Sequence, residues 1–359
     1  MAVLAYLPLR FPGALPGPRV VSADDHLTVH PVFQTEAGGR VNHPQLSDPA
    51  LQLAALDRRT VDALRAGQAP LWNPDIYGGA PLLADVQSRP GSPVMWLRVG
   101  LPAGLAQNLG VAWLLVWMGG GTLLLLLHLG LGPVAALTGA WAAMSTPYLH
   151  VWLLHPHAST MVWLPWVLWT METRRLGWLA LAVAGLCAGG HPGTMVHCGL
   201  IIAVWFAVRD RSWSTVAAVV VGGLLAGPVL WPALDNGLRS TTLGARVGQS
   251  LPAGALADLV WPGLWGHPVH ESWTGPGSWA DGQLHPGLGA LALALVGAWR
   301  RPWARVWVVG IAAAALLAWT GLPGPFAHGR LLSLSAWLFA LAAAVGVSTV
   351  RSPRARVGL

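Results

Sequence analysis

The sequence predicts an all-α membrane protein that crosses the bilayer many times. Of its 359 residues, 54% are hydrophobic and only 10% carry a charged side chain, whereas about a quarter of the residues in soluble globular proteins are charged. The mean hydropathy is +0.53. Apolar stretches of helical length alternate with connections that hold nearly all of the charge. Together these observations exclude an ordinary soluble domain.

Apolar stretches mark where the chain is expected to cross the membrane. A helix needs about 20 residues to span the roughly 30 Å hydrocarbon layer, and several stretches approach or reach that length. Some are short, so tilted or re-entrant segments are expected among them. We predict a polytopic bundle of about nine to ten transmembrane helices. The stretches are 107–127, 133–149, 158–171, 176–189, 195–208, 214–232, 287–299, 303–320 and 331–350.

The first residues, MAVLAYLPL, raise a question about the start of the bundle. They are too few to span a bilayer, and they lack the basic region of a signal peptide. The polar residues that follow must nevertheless reach the far side of the membrane. We therefore expect a first helix that is truncated at its start, with a short interfacial segment as the alternative.

Arginine clusters set the orientation of the predicted bundle. Cytoplasmic loops carry an excess of basic residues, and every second connection holds such a cluster. These connections, together with the carboxy-terminal tail 351–359, are therefore predicted to be cytoplasmic. The clusters are Arg174 with Arg175, Arg209 with Arg211, Arg300 and Arg301 with Arg305, and Arg351 with Arg354 and Arg356.

The other connections then face outward and carry the polar chemistry. They include a large first extracytoplasmic segment within residues 1–105 and a loop 233–287 within the bundle 106–350. Twelve of the fourteen carboxylates lie in outward connections, which leaves Glu172 and Asp210 inside. We therefore predict that the functional face is extracytoplasmic.

The distribution of charge and cysteine excludes two classes of function. The pI near 10.9 does not indicate nucleic-acid binding, because the arginines lie in short clusters between apolar stretches and form no single basic face. Cys187 and Cys198 both fall within apolar stretches, so neither a disulfide framework nor a CxxC motif exists. We expect no nucleic-acid partner and no redox chemistry.

A carboxylate stands just before a predicted helix in the first outward segment. The stretch 53–68 has apolar residues at helical spacing and ends at Gly67, a typical helix stop. The helix-terminal N–H groups would favour an ionised Asp48, and an ionised carboxylate can act as a general base. The alternative is an ordinary N-cap with Pro49 in the first turn.

The segment PLWNPDIYGGAPLL (70–83) follows this helix and contains two turn signals. Trp72 and Tyr77 offer flat rings with a polar edge, which suit a membrane interface or the face of a sugar. Structural packing is the alternative for the whole segment.

Histidines cluster at two neighbouring outward turns. His150, His155 and His157 fall in one turn, and His191 falls in the next. Imidazoles grouped in this way can bind a divalent metal, hydrogen-bond a phosphate or transfer protons. The chain lacks the HExxH spacing of a zinc site, and a His-Pro turn is the structural alternative. The sequence requires no cofactor, and a divalent cation, Mg²⁺ or Mn²⁺, is the alternative that it leaves open.

Arginines also occur in the last two outward connections. Asp235, Arg239 and Arg246 follow the end of an apolar stretch, where they form either a surface ion network or a site for an anionic head group. Arg330 stands at the start of the last apolar stretch. An arginine there commonly extends its charge to the membrane surface, and a functional role is the second interpretation.

Several ordered motifs resemble those of bacterial YfhO-like membrane proteins, which belong to the GT-C superfamily of glycosyltransferases. The resemblance covers nearly the whole chain, and the order of the motifs makes it more specific than any single piece. The motifs are SDPALQ (47–52), PLWNPDIYGGAPLLADVQS (70–88), VWLPWVLW (162–169), GGHPGT (189–194), GPVLWPALDNGLRS (227–240), GPGSWADG (275–282), HPGLGALALAL (285–295) and LPGPFAHGRLLSLSAWLFALAAAVGV (322–347).

The resemblance implies a GT-C-like helical bundle that transfers a sugar outside the bacterial inner membrane. The donor would be a polyprenyl-phosphate-linked sugar, and Asp48 would be the catalytic base, with Gln52 and the Trp72-Asn73 turn beside it. The base would deprotonate an acceptor hydroxyl, which would invert the anomeric carbon as the lipid phosphate leaves. The other implied partners are the lipid bilayer and an envelope polymer, lipid or protein as acceptor.

The resemblance also points to substrate-binding groups. A departing phosphate needs positive charge or N–H donors, for which Arg239, Arg330 and His191 are candidates, and Asp281 stands where the family usually has Glu. A non-catalytic assembly partner, or a transporter of lipid-linked sugars, is the alternative function. The predicted substrate-binding residues are Gln52, Trp72, Asn73, Tyr77, His155, His157, His191, Arg239, Asp281 and Arg330.

Overall fold

The protein is mostly helical in a computed structural model. The structure describes residues 19–23, 45–239, 253–301, 310–311 and 331–351, with the backbone alone at 253, 331–336 and 351. Across these ranges the strands amount to one two-stranded sheet. The predicted helical class is therefore confirmed for this part of the chain. The predicted stretch 303–320, apart from 310–311, lies outside the described residues.

The first segment folds as a helix followed by a small hairpin. A π-helical turn Pro49–Leu53 continues into α1, Ala54–Arg65, because Leu53 and Leu56 bury one face of the helix against Leu82. The chain turns at Gly67, whose φ of +69° favours glycine. The strands β1, Trp72–Asn73, and β2, Ala80–Pro81, then pair antiparallel. A 3₁₀ turn Val86–Ser88 precedes α2, Pro93–Gly100.

Helices make up most of the rest of the chain. A proline stands in the first turn of several of them, where its missing N–H costs no intrahelical hydrogen bond. Two further 3₁₀ turns, Ala253–Leu259 and Pro268–His270, lie in the predicted loop 233–287. The helices are α3, Ala103–His128; α4, Pro133–Met144; α5, Pro147–Val151; α6, Pro156–Met161; α7, Leu164–Glu172; α8, Leu176–Cys187; α9, Pro192–Arg209; α10, Trp213–Leu225; α11, Gly227–Arg239; α12, Leu288–Arg300; and α13, Leu331–Arg351.

Two of the described helices, α3 and α9, are long and apolar enough to cross a membrane. A third span exists if α10 and α11 are taken together, although these helices meet at an angle of 75°. The apolar helices α4, α8 and α12 and residues 337–350 of α13 are shorter. The length and composition of these helices are compatible with a membrane protein.

The predicted stretch 214–232 is not one straight helix, because α10 ends and α11 begins within it. Pro228 has no N–H to donate to the carbonyl of Leu224, and its ring clashes with that carbonyl in a straight helix. The backbone instead turns at Ala226, whose carbonyl accepts hydrogen bonds from Val229 and Leu230 at 3.0 and 2.9 Å. The result is the sharp bend that ends α10.

The core lies where α3, α4 and α13 pack together. Trp337 of α13 is completely buried and donates from Nε1 to Thr122 Oγ1 of α3 at 3.0 Å. Trp166 of α7 donates to the carbonyl of Trp117 at 2.8 Å and stacks on that ring with centroids 4.2 Å apart. The indole N–H groups of Trp337 and Trp166 thus find acceptors in a neighbouring helix, as buried indoles commonly do.

The bundle has two chemically different ends, at opposite ends of α9. At one end, Glu172 pairs with Arg209 at 2.8 Å, and Arg174 pairs with Asp210 at 2.6 Å. This Glu172 end therefore joins two of the connections that carry arginine clusters. The other end, called the histidine end below, contains His155, His157 and His191.

Close contact between α12 and α13 depends on glycine. A Cβ atom on Gly346 would lie 2.0 Å from the carbonyl oxygen of Leu293, and one on Gly297 would lie 2.6 Å from that of Ala342. Small residues of this kind let helix backbones approach closely in membrane proteins. The two glycines thus set the distance between the last two described helices.

Replacing Gly346 with alanine should separate α12 from α13. We expect Gly346→Ala to destabilise the protein by about 1–3 kcal/mol, the typical cost of overpacking, and to lower the temperature of thermal aggregation in detergent. Gly289→Ala is the matched control, because nothing lies within 4 Å of a Cβ atom at Gly289. Equal aggregation temperatures for the two variants would contradict the glycine-dependent contact.

Candidate functional site

A buried carboxylate at the histidine end forms ion pairs with two arginines. Arg89 Nη2 donates to both oxygens of Asp57 at 2.9 and 3.2 Å, and Arg98 Nη1 lies 2.6 Å from Asp57 Oδ2. The side chains of Asp57 and Arg89 are 4% and 3% exposed, whereas that of Arg98 is 22% exposed. This group of three residues is called the Asp57 cluster below, and it joins α1, the turn after Ser88 and α2.

The cluster carries one more positive than negative charge. Burial lowers the pKa of the Arg98 guanidinium, and this effect exceeds the opposing influence of Asp57. Within the described ranges, the Nε atoms of Arg89 and Arg98 and the hydroxyls of Ser88 and Ser92 are buried without a hydrogen-bond partner. Asp57 is thus surrounded by N–H and O–H groups that donate no hydrogen bond, and the cluster has a net positive charge.

The backbone at Arg89 has an unusual conformation. Its φ of 39° and ψ of 50° place it in the left-handed region, which costs a residue with a side chain roughly 1–2 kcal/mol. Asp85 begins the preceding 3₁₀ turn and accepts from the Gln87 N–H at 3.1 Å, and burial raises the pKa of its carboxyl. The turn therefore directs Arg89 inward, toward Asp57.

The three histidines of the histidine end stack into one group. The rings of His157 and His191 stack with centroids 3.4 Å apart, and Trp152 stacks on the other side of His157 at 4.1 Å. His155 lies edge-on to Trp152 at 4.8 Å. All three imidazoles are buried. The structure thus brings together His155, His157 and His191, as the sequence predicted from neighbouring turns.

His191 also begins α9. Its Nδ1 accepts from the Thr194 N–H at 3.0 Å and lies 2.8 Å from Thr194 Oγ1, while its own N–H donates to Thr160 Oγ1 at 3.2 Å. These contacts hold Nδ1 at the helix terminus. His150, in contrast, hydrogen-bonds to the carbonyl of Thr146 at 3.1 Å, one turn earlier in the chain.

The Asp57 cluster and the histidines touch each other. Arg89 Nη1 donates to Ser159 Oγ at 3.4 Å, and Ser159 follows His157 in α6. A Cβ atom on Gly190 would lie 2.9 Å from Arg89 Cβ, and the φ of +94° there also favours glycine. Arginine, imidazole and hydroxyl groups from three distant segments therefore form one polar region at the histidine end.

Asp48 lies on the surface at the start of the helix that carries Asp57. Its backbone is helical, with φ −52° and ψ −41°, and its side chain makes no capping hydrogen bond. Asp48 thus occupies the N-cap position with Pro49 in the first turn, as the alternative interpretation predicted. An N-cap residue normally has an extended backbone that directs its side chain to the helix N–H groups, and the helical backbone of Asp48 explains why its capping hydrogen bond is not formed. Gln52, one turn later, is also exposed.

The hairpin residues divide into structural and exposed ones. Asn73 is buried, and its Oδ1 accepts from the Asp75 N–H at 3.0 Å to form a turn. The ring of Trp72 covers Gly79, where a Cβ atom would lie 2.5 Å from Cζ2. Tyr77 is 98% exposed at the tip. Tyr77 and the open side of Trp72 are thus the aromatic surfaces that this hairpin presents to solvent.

The loop 253–287 packs onto the residues before Asp48. The Trp279 N–H donates to Gln45 Oε1 at 3.0 Å, and His267 lies edge-on to the Trp279 ring at 4.6 Å. Burial, followed by the nearby His270, lowers the pKa of His267. Asp281, two residues after Trp279, is half-buried. This contact brings the loop that carries Asp281 to the beginning of the helix that carries Asp48.

The remaining predicted site residues lie apart from this region. Arg239 is exposed and pairs with Asp235 at 3.0 Å across one turn of α11, which agrees with the surface ion pair of the first interpretation. Arg330 and Arg246 lie outside the described residues. In the ranges that the structure describes, no group of three or more His, Cys, Asp or Glu side chains is arranged to hold a metal ion.

The Asp57 cluster was not predicted from the sequence. The sequence does indicate that Asp57 is buried, because Asp57 stands four residues after Leu53 and four before Val61, on the apolar face of α1. A carboxylate on that face requires a buried partner. The identity of the partners, Arg89 and Arg98, depends on tertiary contacts that helical spacing does not contain.

Comparison with protein-family models, with curated proteins and with solved structures gives no match for this chain. The function therefore has to be argued from the polar region itself. Its distinguishing properties are excess positive charge and stacked imidazoles, and the helix that contributes Asp57 begins at the exposed Asp48.

Removing the charge of Asp57 should leave two arginines unpaired in the protein interior. We expect Asp57→Asn to destabilise the protein by about 3–5 kcal/mol, the usual cost of breaking a buried ion pair, measured as thermal stability of the purified protein. Asp62→Asn, in the same helix, should change stability by less than about 1 kcal/mol because the exposed pair with Arg58 is worth little.

A double variant tests whether charge causes the effect. Asp57→Asn combined with Arg98→Gln removes one charge of each sign, so we expect it to be more stable than Asp57→Asn alone. If Asp57→Asn and Asp62→Asn were equally stable, the cluster would have no structural importance.

Proposed function

We propose that the protein is a GT-C type membrane glycosyltransferase. It transfers a sugar from a polyprenyl-phosphate-linked donor to an acceptor of the bacterial cell envelope, with inversion at the anomeric carbon. The observation that carries this proposal is the polar region at the histidine end. There, cationic and imidazole groups form one region at one end of a helical bundle whose apolar helices suit a membrane, and the helix that carries Asp57 begins at the exposed Asp48.

The proposed donor has an anionic head group and a hydrocarbon tail. A phosphate that departs with the electron pair of the broken bond is stabilised by guanidinium and N–H donors. Arg98, whose side chain is partly exposed, and the stacked His157 and His191 supply such groups. The prenyl tail can stay in the bilayer, because the same region ends an apolar bundle. Arg239 and Arg330 are further proposed contacts for the phosphate.

The carboxylates of the first segment differ in whether an arginine already pairs with them. Asp57 is held by two arginines, and Asp75 lies 3.9 Å from Arg59. Asp48 is exposed, and in the part of the chain that the structure describes its side chain has no ion pair or capping hydrogen bond. A general base must be able to reach its proton. This availability supports Asp48 as the base.

The proposed reaction is a single displacement. Asp48 takes the proton of an acceptor hydroxyl, and the hydroxyl oxygen forms a bond to the anomeric carbon of the sugar. The bond from that carbon to the phosphate oxygen breaks, and the lipid phosphate leaves with the electron pair. Trp72 and Tyr77 offer exposed rings for the sugar face, with Gln52 and Asp281 as polar contacts on the same side.

The proposal includes an orientation in the bacterial inner membrane. About nine to ten helices span the membrane, the histidine end faces outward and the carboxy terminus faces the cytoplasm. The pairing of Arg174 with Asp210 supports this arrangement, because it joins two connections that are rich in arginine at the end expected to be cytoplasmic.

Asp48→Asn tests the proposed base. We expect envelope sugar transfer to fall by about 10²–10⁴-fold, the usual contribution of a general base, while the amount of protein in the membrane stays unchanged. The measurement is mass spectrometry of envelope glycans in cells that carry each variant, and Asp62→Asn is the control on the same helix. Full transfer by Asp48→Asn would favour the alternative, a non-catalytic assembly partner or a transporter of lipid-linked sugars.

Two substitutions at His191 separate its structural role from a chemical one. Asparagine can cap α9 as His191 does, whereas alanine cannot, so we expect His191→Ala to lose about 1 kcal/mol of stability and His191→Asn to lose little. If the imidazole contacts the leaving phosphate, both variants lose transfer activity. Full activity of the stable His191→Asn variant would show that this imidazole only begins the helix.

A further inference from the structure

Helix α11, Gly227–Arg239, leaves the bundle in an unusual direction. It departs from α10 at an angle of 75°. Within α11, all of which the structure describes, no side chain is buried. A helix that packs so little against its own protein must be stabilised by its surroundings.

The exposed apolar side chains of α11 lie on one side of the helix. Trp231, Leu234 and Leu238 follow each other at intervals of three and four residues and therefore share one face. Their exposed fractions are 74%, 56% and 71%. Asp235 and Arg239 form their ion pair beside that face. An amphipathic helix with a tryptophan and leucines on one side is typical of helices that lie at a membrane surface.

The length of α10 places α11 near such a surface. The 13 residues of α10 cover about 20 Å, which is less than the roughly 30 Å of hydrocarbon. Because α11 is bent by 75°, it adds only about 5 Å in the direction of α10 at 1.5 Å per residue. The exposed apolar side chains of α10, Val220, Val221 and Leu224, lead directly to the apolar face of α11.

Helix α11 lies close to the polar region at the histidine end. Its residues approach the 3₁₀ turn Val86–Ser88, which directly precedes Arg89 of the Asp57 cluster. The ion pair of α11 and the Asp57 cluster therefore belong to the same end of the protein. A membrane surface at α11 would lie at the level of the histidine end.

We propose that α11 lies in the plane of the membrane surface and binds the phospholipids of the leaflet at the histidine end. Trp231, Leu234 and Leu238 contact acyl chains just below the head groups, while Asp235 and Arg239 lie at the head-group level. The helix is an interfacial anchor that holds the turn Val86–Ser88 at this level. The inference depends on insertion into a membrane and does not rest on glycosyl transfer.

Spin labels at single cysteines in the full-length chain test this position. The variants Leu234→Cys, Asn236→Cys and Leu238→Cys are made in a Cys187→Ala background and reconstituted into phosphatidylcholine and phosphatidylglycerol vesicles. Cys198 can remain, because its side chain is completely buried, and the unmodified background measures any residual labelling. Power-saturation spectroscopy with oxygen and with a water-soluble nickel complex gives the depth of each label.

We expect the labels at 234 and 238 to lie at similar depths, with high oxygen and low nickel accessibility, and the label at 236 to be more accessible to nickel. Labels at Leu200→Cys and Val204→Cys of α9 are the control, since a spanning helix should separate them by about 6 Å in depth. Steadily increasing depth from 234 to 238 would make α11 a continued span and overturn the proposal. High nickel accessibility at all three positions would place α11 in water and overturn it as well.

Discussion

The interaction on which the rest of the structure depends is the burial of Asp57 between Arg89 and Arg98. A carboxylate that is removed from water is costly unless it is paired and hydrogen-bonded, and these two guanidinium groups satisfy it at 2.9 and 2.6 Å. The three residues come from α1, the turn after Ser88 and α2. Through Ser159, Arg89 also reaches α6. The first segment is therefore fixed to the bundle by charge as well as by apolar contact.

Within this first segment, some polar side chains form structural hydrogen bonds and others are exposed to solvent. Asp57 is fully engaged, and Asn73 is held in its turn, whereas Asp48, Gln52 and Tyr77 are exposed. The proposed base, Asp48, begins the helix that Asp57 fixes to the bundle, and positioning of a catalytic group contributes to catalysis. The stacked histidines lie on the other side of Arg89, where they extend the polar region into the bundle.

Local patterns in the sequence predicted local structure well. The amphipathic spacing of residues 53–68 predicted α1, and Gly67 predicted its end. Of the four histidines that were grouped from two neighbouring turns, His155, His157 and His191 lie together, whereas His150 hydrogen-bonds to the carbonyl of Thr146. The break at Pro228 was missed because the hydropathy of 214–232 is continuous across it. The helical backbone of Asp48 was missed because the N-cap pattern does not report the π-helical turn that follows.

Contacts between residues that are distant in the sequence explain the other features that the sequence did not predict. No spacing rule connects Asp57 with Arg89, because the contact requires the left-handed backbone at Arg89 and the close approach of Gly190. The burial of Asn73 likewise results from the pairing of two short strands. Arg330 and most of the stretch 303–320 lie outside the described residues, so their predicted roles stay predictions.

The most direct test of the central claim is mass spectrometry of envelope glycans from a strain that lacks this protein. The account predicts that one glycan loses the mass of a single sugar and that expression of the full chain restores it. The lipid-linked donor should accumulate in the deletion strain at the same time. Identical glycan masses and donor levels in the two strains would contradict the assignment of sugar transfer to the histidine end.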